Sequence, residues 1–108
     1  MFELRRFIRE SGEDVIGEWL RDLRDKRARA RIESRLTLLS LGHFGDCKPV
    51  GEGVWELRVD VGPGYRVYYA MEGKRIVLLI CGGDKRSQGR DVRRAIEFWH
   101  DHKERNKR

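Results

Sequence analysis

Three strand-like segments in succession, joined by short glycine-containing connections, constrain the fold of this chain more than any other feature of its sequence. They cover residues 54–61, 65–69 and 76–81 and are rich in the β-branched and aromatic residues that favour strands. Segments that follow each other so closely pair most simply as antiparallel neighbours. The sequence therefore predicts a three-stranded antiparallel arrangement at the centre of the molecule.

The alternation of polar and apolar side chains predicts the register of these strands. The apolar residues of the first two strands share a face if Val61 pairs with Tyr65 across a Gly62-Pro63-Gly64 loop. A two-residue turn at Glu72-Gly73 then places Ile76 and every second residue after it on the same face. We expect that face to pack against helices. The opposite face is predicted to carry a polar set above an apolar floor, namely Glu56, Arg58, Asp60, Arg66 and Tyr68 above Val77, Leu79 and Cys81.

A short strand and two helices are predicted before this sheet. Residues 2–8 alternate loosely, as in a strand, and Ser11 with Asp14 has the spacing of a helix start. An apolar stripe predicts a first helix, and a second covers about residues 25–41. The two helices should form a hairpin with one apolar side. Residues 42–53 contain four glycines and a proline and predict a loop.

A third helix is predicted after the sheet. Apolar residues at helical spacing from Val92 to Trp99 indicate it, and the charged residues at about 100–108 predict a tail that frays into solvent. We expect all three tryptophans, including Trp55, to lie in the core because they fall on apolar faces. The whole pattern predicts one α+β domain over residues 1–108. Its order is strand, two helices, three strands and helix, with a small, mainly antiparallel four-stranded sheet.

An excess of basic residues indicates the class of partner. The 108 residues include 24 Lys and Arg against 18 Asp and Glu, a formal net charge of +6, which favours a polyanion such as nucleic acid. No apolar run is long enough to span a membrane and no signal peptide is evident, so we expect a cytoplasmic protein. Cys47 and Cys81 have neither a disulfide pattern nor zinc-ligand spacing with the histidines. We therefore expect no metal and no other cofactor.

The polar face of the predicted sheet is suited to a phosphate diester. Arg58 and Arg66 should project from adjacent strands, and guanidinium groups bind phosphate oxygens in pairs and remain charged. They could instead form ordinary cross-strand ion pairs with acidic neighbours such as Glu56. Lys85 follows the Gly82-Gly83 pair at a strand-to-helix junction, where backbone N–H groups and a helix start favour an anion. Antiparallel pairing places this junction beside Arg66, so Lys85 could reach the same site.

The residue types at this face favour cleavage of RNA without a metal ion. No carboxylate cluster suggests bound magnesium, and the three histidines lie in a loop and in the tail. RNA supplies its own 2′-hydroxyl as a nucleophile, whereas DNA has none. Tyr68, on the predicted polar face, is the aromatic residue best placed to stack on a base.

Three short motifs carry a resemblance to a known family. They are Glu56-Leu57-Arg58, then Gly64-Tyr65-Arg66-Val67, then Gly82-Gly83-Asp84-Lys85 followed by Gln88. With the order of the predicted elements, they resemble the addiction-module killer proteins, a HigB-like branch of the RelE/ParE toxin superfamily. The resemblance implies a RelE-like fold and a toxin of a type II toxin–antitoxin module. RelE-like and HigB-like members cut mRNA on the ribosome, whereas ParE-like members poison DNA gyrase without nuclease activity. A member that only binds RNA or its antitoxin is a third alternative.

For a nuclease, the resemblance implies roles for particular residues. Arg58 and Arg66 correspond to strand arginines that hold and stabilise the scissile phosphate, and Lys85 to the basic residue before the last helix. Either Lys85 or Glu56 would accept the proton of the 2′-hydroxyl. Better-known RelE members place a stacking tyrosine in the first turn of that helix, where this sequence has Gly89-Arg90, so stacking must come from elsewhere. The expected RNA contacts are Tyr68, Arg86, Gln88 and Arg90 near the site, with Arg31 and Arg35 on the second helix.

The same resemblance implies the partners of the protein. They are the mRNA and the ribosome on which such toxins act, and a cognate antitoxin from the same operon. The antitoxin is expected to be a helix-turn-helix protein that covers the arginine face or its rim. No small-molecule cofactor and no membrane are expected.

Overall fold

The computed structural model describes residues 1–107 as an α+β fold with five strands and three α-helices. The strands are β1 (Glu3–Arg6), β2 (Cys47–Gly51), β3 (Val54–Val59), β4 (Tyr65–Glu72) and β5 (Ile76–Asp84). The helices are α1 (Val15–Asp22), α2 (Lys26–Ser40) and α3 (Gln88–Asn106), and a single 3-10 turn (Lys85–Ser87) joins β5 to α3. The elements follow the predicted order, with one strand more than predicted.

The five strands form one mixed sheet whose two faces are both covered by helices. The strand order is β1-β5-β4-β3-β2, in which β1 runs parallel to β5 and all other neighbours are antiparallel. One face packs against α1 and α2 through a cluster that includes Ile16, Ile32, Leu57 and Val67. The other face packs against α3 through Val54, Tyr68, Leu78, Ile80 and Trp99. The third helix therefore covers part of the face on which the polar site was predicted.

An edge strand, β2, occupies part of the segment that was predicted to be a loop. It pairs with β3 from Cys47 opposite Leu57 to Gly51 opposite Val54, with an irregularity after Pro49. Proline is tolerated on an edge strand, because one side of such a strand makes no ladder hydrogen bonds. The prediction of a four-stranded sheet was therefore wrong: proline and glycine, which are typical of loops, concealed a fifth strand.

Trp55 was predicted to lie in the core but is substantially exposed. Its exposed fraction is 37%, whereas that of Trp99 is 7%. Trp55 stands next to the β2 edge of the sheet, where it lines a shallow pocket with Phe44, Cys47 and other residues. Its face in the strand was predicted correctly, but the helices do not extend far enough to cover it.

The β3–β4 hairpin is shifted by two residues from the predicted register. Val59, rather than Val61, pairs with Tyr65. The chain turns earlier than predicted because the N–H of Val61 bonds back to the carbonyl of Val59 at 3.0 Å. A shift of two residues leaves every side chain on its predicted face. Arg58 and Arg66 therefore stay together, and they lie directly opposite each other.

The β4–β5 pairing contains an irregularity that the sequence did not predict. Glu72 pairs with Ile76, and the register shifts between Tyr68 and Tyr69. Because helices cover both faces of the sheet, β5 is apolar on both sides, and its polarity could not determine its register. From Val77 to Ile80 the faces of β5 are the reverse of those predicted: Val77 and Leu79 pack with α1 and α2, and Leu78 and Ile80 pack with α3. Cys81, beyond the irregularity, lies on the predicted face.

The starts of the first two helices are set by aspartate caps. Asp14, rather than Ser11, caps α1, and its side chain accepts a hydrogen bond from the N–H of Gly17 at 3.1 Å. Asp25 caps α2, which begins close to where it was predicted. Gly42 follows the end of α2 with a φ of 90°, the left-handed conformation in which glycine ends a helix without strain.

The C-terminal residues, which were predicted to fray, extend α3 to Asn106. His102 Nε2 lies 2.6 Å from the carboxylate of Glu72, and Arg105 donates a hydrogen bond to the carbonyl of Ile8 at 2.7 Å. These contacts with β4 and with the N-terminal segment hold the end of the helix. The prediction of a frayed tail was wrong for this part, and Arg108 lies outside the described residues.

Candidate phosphate-binding site

A pocket of about 360 Å³ lies at the end of the β3–β4 hairpin. We call it the phosphate pocket, after the ligand that the sequence predicts for it. Arg58, Arg66 and Lys85 all line it, so the structure brings together the three cations that the sequence placed in one site. The β3–β4 loop supplies part of the wall, and two carboxylates, Asp46 and Asp60, also line it. Pockets of roughly 300–1,000 Å³ are typical of small-ligand sites. The pocket is therefore large enough for a nucleotide-sized anionic group.

The side chains of Arg58 and Arg66 share one buried carboxylate, that of Glu56. Arg58 Nε donates to Glu56 Oε1 at 3.1 Å, and Arg66 Nε lies 3.7 Å from Oε2. Oε2 also accepts hydrogen bonds from the Tyr68 hydroxyl at 3.2 Å and from Gln88 Nε2 at 2.7 Å. These interactions direct both guanidinium groups toward the pocket and connect them to the start of α3.

Glu56 is held in its ionised form. Burial, the largest single influence, favours the neutral acid, but the hydrogen bonds that Glu56 accepts, together with the nearby charge of Arg66, outweigh it. They lower the pKa of Glu56 from its ordinary value of 4.5. Its side chain has no exposed surface. A buried carboxylate with a lowered pKa is poorly suited to take up a proton, so the geometry favours a positioning role for Glu56.

Arg66 retains unused hydrogen-bonding capacity at the pocket. Its side chain is 11% exposed, and its Nε has no hydrogen-bond partner among residues 1–107. One terminal nitrogen makes a single long hydrogen bond, of 3.4 Å, to the carbonyl of Gly64. Buried N–H groups are normally satisfied. The remaining donors of Arg66 are therefore available to phosphate oxygens.

Lys85 lies on the rim of the same pocket. Its backbone N–H donates to the carbonyl of Gly64 at 2.9 Å, which ties the 3-10 turn to the β3–β4 loop. The turn is capped by Asp84, whose side chain accepts from the N–H groups of Arg86 and Ser87. The side chain of Lys85 is exposed and forms no ion pair with another residue of the described chain. Its ammonium group is therefore free to contact a ligand.

The Gly82-Gly83 pair serves packing rather than anion binding. Both glycines are buried within β5, so they do not form the strand-to-helix junction at which they were predicted to bind an anion. A side chain at Gly82 would overlap the ring of Trp19, and one at Gly83 would overlap the carboxylate of Asp91. The pair therefore allows α1 and α3 to approach the strand closely. The cationic character of the site comes from side chains, not from an exposed glycine backbone.

Comparison with known proteins assigns the chain to a family. Residues 18–98 match the family described as "Phage derived protein Gp49-like (DUF891)". The chain belongs to this Gp49-like family. The family lies within the RelE/ParE-like toxin superfamily, which confirms the predicted superfamily, whereas the HigB-like branch stays a prediction. Membership indicates a toxin of a toxin–antitoxin module and, with it, an antitoxin partner.

A bacterial relative has a similar sequence. An "Uncharacterized protein" of Haemophilus influenzae (strain ATCC 51907 / DSM 11121 / KW20 / Rd) is 47% identical over 77 residues. The match covers 71% of this chain and 78% of that protein. The likeness supports a shared fold over most of both chains.

Three of the residues that were predicted to contact RNA in this Gp49-like chain instead make hydrogen bonds within the protein that stabilise the site. Tyr68 is fully buried beneath α3, so its ring offers no face to a base, contrary to the prediction. Burial and the neighbouring Glu56 raise the pKa of Tyr68, so its hydroxyl remains a hydrogen-bond donor. Gln88 is bonded to the same carboxylate. Arg35 donates to the carbonyl of Arg58 at 2.6 Å and so supports β3.

The other three predicted contacts are exposed. Arg31 lies on the surface of α2 and does not line the pocket. The side chains of Arg86 and Arg90 are 88% and 69% exposed, and they line a second pocket beside the 3-10 turn. The structure therefore places two of the predicted contacts close to the phosphate pocket and one at a distance from it.

Two residues near the site were missed by the sequence analysis. Tyr65 lines the pocket, and its position before Arg66 in a recognised motif was a signal that could have found it. Asp91 is buried, accepts a hydrogen bond from the Ser87 hydroxyl and lies 3.8 Å from Arg90. Acidic residues are common in the first turn of a helix, so no local pattern distinguished Asp91 as a buried residue.

Within residues 1–107 of this Gp49-like protein, no group of three or more His, Cys, Asp or Glu side chains is arranged to hold a metal ion. In the same range, no helix has both the length and the apolar character needed to cross a membrane. The positive charge that the pocket offers to a ligand comes from arginine and lysine side chains.

Proposed function

We propose that the protein is the toxin of a type II toxin–antitoxin module and acts in the cytoplasm as a ribosome-dependent mRNA endoribonuclease. The observation that carries this proposal is the pocket in which Arg58, Arg66 and Lys85 converge above the buried carboxylate of Glu56. Preorganised cations of this kind stabilise a phosphoryl group as its charge increases. A gyrase poison without catalysis has no need of such a site, so the pocket favours the nuclease.

The proposed reaction is a transesterification within RNA. The 2′-oxygen forms a bond to the adjacent phosphorus while the bond from phosphorus to the 5′-oxygen of the next nucleotide breaks. Arg58 and Arg66 donate to the non-bridging oxygens and stabilise the negative charge that develops there. The departing 5′-oxygen takes up a proton from water and becomes a 5′-hydroxyl. The other product is a 2′,3′-cyclic phosphate, which water can open to a 3′-phosphate. The proposed route uses no metal ion.

Lys85 is the proton acceptor in this proposal. Its side chain is exposed at the pocket and has no acidic partner in the described chain, and in its uncharged form the amine can take the proton of the 2′-hydroxyl. Glu56, the other candidate, is inaccessible to a substrate. It instead fixes the direction of the two guanidinium groups, which makes it a positioning residue.

The remaining basic surface is proposed to contact RNA of the ribosome. Arg31, which is exposed on α2, is available for this, and such contacts weaken as salt rises. The antitoxin is proposed to be a helix-turn-helix protein from the same operon that covers the arginine pocket or its rim. An antitoxin that covers these cations would keep the RNA substrate out of the pocket.

Mapping mRNA 5′ ends after expression in growing cells tests the proposal. Lys85→Ala is the sharpest variant, because this exposed side chain has no partner in the described chain and its loss should leave the fold intact. Arg75→Ala is the matched control, since Arg75 is an exposed cation beside the opposite end of β5. We expect new 5′-hydroxyl ends in translated mRNA with wild type and Arg75→Ala. Cleavage should fall by about 10²-fold or more in Lys85→Ala and Arg66→Ala.

Two results would contradict different parts of this proposal. Growth arrest with intact mRNA and inhibited DNA supercoiling would reject the nuclease in favour of a gyrase poison. Cleavage that persists unchanged in Arg66→Ala and Lys85→Ala would preserve the function but reject the site.

A further inference from the structure

A groove beside the phosphate pocket combines arginines with an aromatic pair. It has a volume of about 560 Å³, and its lining includes Arg24, Arg86, Arg90, Arg94, Trp19 and Tyr65. We call it the arginine groove. Tyr65 lines both this groove and the phosphate pocket. The two sites therefore adjoin each other at Tyr65.

The aromatic pair in the arginine groove is fixed by the packing of α1 on β5. The ring centroids of Trp19 and Tyr65 are 6.2 Å apart with an interplanar angle of 67°, an edge-to-face contact. Trp19 rests against Gly82, where any side chain would overlap its ring. Neither aromatic residue is fully buried. A firmly held and partly exposed aromatic pair at the rim of a cationic groove is suited to stack on a base.

Two of the three acidic residues that line the arginine groove already accept hydrogen bonds from other groups of the protein. Asp84 accepts hydrogen bonds from backbone N–H groups of the 3-10 turn, and Asp91 is buried and bonded to the hydroxyl of Ser87. Asp22, at the end of α1, is exposed. These carboxylates therefore neutralise only part of the charge that the arginines present to solvent.

Several arginines of the groove remain available to a ligand. The side chain of Arg24 makes no ion pair with another described residue. Arg86 lies 3.6 Å from the carboxylate of Asp84, and Arg90 lies 3.8 Å from that of Asp91. Both distances are too long for strong hydrogen bonds, and both arginine side chains are mostly exposed. Their guanidinium groups can bind phosphate oxygens at little cost in lost protein contacts.

We propose that the arginine groove binds the single-stranded RNA that flanks the scissile phosphate. One base stacks on the Trp19–Tyr65 pair, and neighbouring phosphates contact Arg24 and Arg90. This inference rests on the proposed nuclease function and supplies the stacking surface that the buried Tyr68 cannot provide. Duplex RNA is a poor ligand for such a site, because its bases are already paired and stacked.

Fluorescence anisotropy with a labelled oligoribonucleotide tests this assignment. The RNA is single-stranded and carries 2′-O-methyl groups, so that it can be bound but not cut. Tyr65→Leu should weaken binding by roughly 5- to 100-fold through the loss of stacking. Tyr65→Phe, which keeps an aromatic ring, should bind nearly as well as the wild type. This pair separates stacking from a loss of folding, which a melting curve of each variant also checks.

The charge contacts are tested by the salt dependence of the same binding. Arg24→Gln and Arg90→Gln should each reduce the slope of log K against log salt by about 0.7, the contribution of one contact to a single-stranded phosphate. Arg75→Gln and Arg93→Gln are matched controls, because both arginines are exposed and neither lines the groove. The controls should leave the slope unchanged.

Several outcomes would overturn the inference, and they are distinct from failure of the nuclease. Equal effects of Arg90→Gln and Arg93→Gln, equal binding of duplex RNA, or no RNA binding by the wild type would reject the groove as an RNA site. If mRNA is cut in cells while groove variants bind RNA like the wild type, only the groove assignment is wrong. If the groove binds RNA as expected while mRNA stays intact, the groove assignment stands and the nuclease is rejected.

Discussion

Arg66 lies directly opposite Arg58 across β3 and β4, and both guanidinium groups lie next to the buried carboxylate of Glu56. Two cations at adjacent positions repel each other, and a carboxylate beneath them offsets that repulsion while fixing their direction. Gln88, the first residue of α3, donates to the same carboxylate at 2.7 Å. The position of the arginines is therefore coupled to the docking of the last helix. These contacts hold the two guanidinium groups in place within the protein itself.

Replacing Glu56 with glutamine should destabilise the fold substantially. The variant leaves Arg66 buried without a counter-charge, and breaking a buried ion pair in this way costs about 3–5 kcal/mol. We expect about 3 kcal/mol, because the side chain of Arg58 keeps 34% exposure to water. The free energy of unfolding is measured by urea denaturation. Glu33→Gln, which breaks an exposed pair with Arg29, is the control and should cost less than about 1 kcal/mol. Equal losses in the two variants would contradict this prediction.

The stability that Glu56 contributes should disappear only in acid. Its pKa is lower in the folded protein than the ordinary value of 4.5 expected in the unfolded chain, so the unfolded state binds the proton more readily. The contribution is therefore complete above pH 4.5 and is lost as the pH falls through the lowered folded value. Urea denaturation at several acidic pH values checks this. The wild type should lose more stability below pH 4.5 than Glu56→Gln, and parallel losses would contradict the assignment.

The faces of β3 and β4 could be predicted from the sequence because each has one polar face. Arg58 and Arg66 were placed on the same side, and the two-residue error in register did not change this, since side chains alternate with a period of two. The faces of β5 could not be predicted, because helices cover both sides and every residue from Val77 to Cys81 is buried and apolar. Polarity distinguishes the faces of a strand only where one of them meets solvent.

The burial of Glu56 and Tyr68 could not be predicted from the sequence, for a different reason. Both were placed correctly on the face opposite α1 and α2, but that face was assumed to be open. Packing of α3 over part of it buries Tyr68 and leaves the end near Lys85 exposed. The position of a helix on a sheet depends on tertiary contacts such as that of Gly83 with Asp91, which leave no local pattern in the sequence.

Substituting Gly82 in β5 and Gly89 in α3 should change stability in opposite directions. Gly82→Ala places a methyl group where the ring of Trp19 lies, and such overpacking costs about 1–3 kcal/mol. Gly89→Ala adds a methyl group in the first turn of α3, where the nearest atom, from Arg93, is 3.7 Å away. It should stabilise the helix by roughly 0.5–1 kcal/mol. Thermal denaturation measures both. A destabilised Gly89→Ala or an unaffected Gly82→Ala would contradict the packing described for this region.

The two C-terminal histidines provide a test of whether α3 is ordered to its end. His102 lies 2.6 Å from Glu72, is mostly buried, and stacks on Trp99 at 5.8 Å. His100 lies 3.3 Å from Glu52, with both side chains more than half exposed. We expect His102→Ala to lower the free energy of unfolding by about 1–2 kcal/mol, because a part-buried hydrogen bond and an aromatic contact are lost together. His100→Ala should change it by less than about 0.5 kcal/mol.

Amide hydrogen exchange measures the local stability of the end of α3 in the His102→Ala and His100→Ala variants. In His102→Ala the amides of the last turns of α3 should exchange faster than in the wild type, whereas His100→Ala should leave them protected. The effect should be confined to the end of the helix, because Trp99 and Ala95 remain packed against the sheet. If the same amides exchange rapidly in the wild type, the contacts of His102 do not hold the helix end, and the frayed tail that the charge composition predicted would be the correct description.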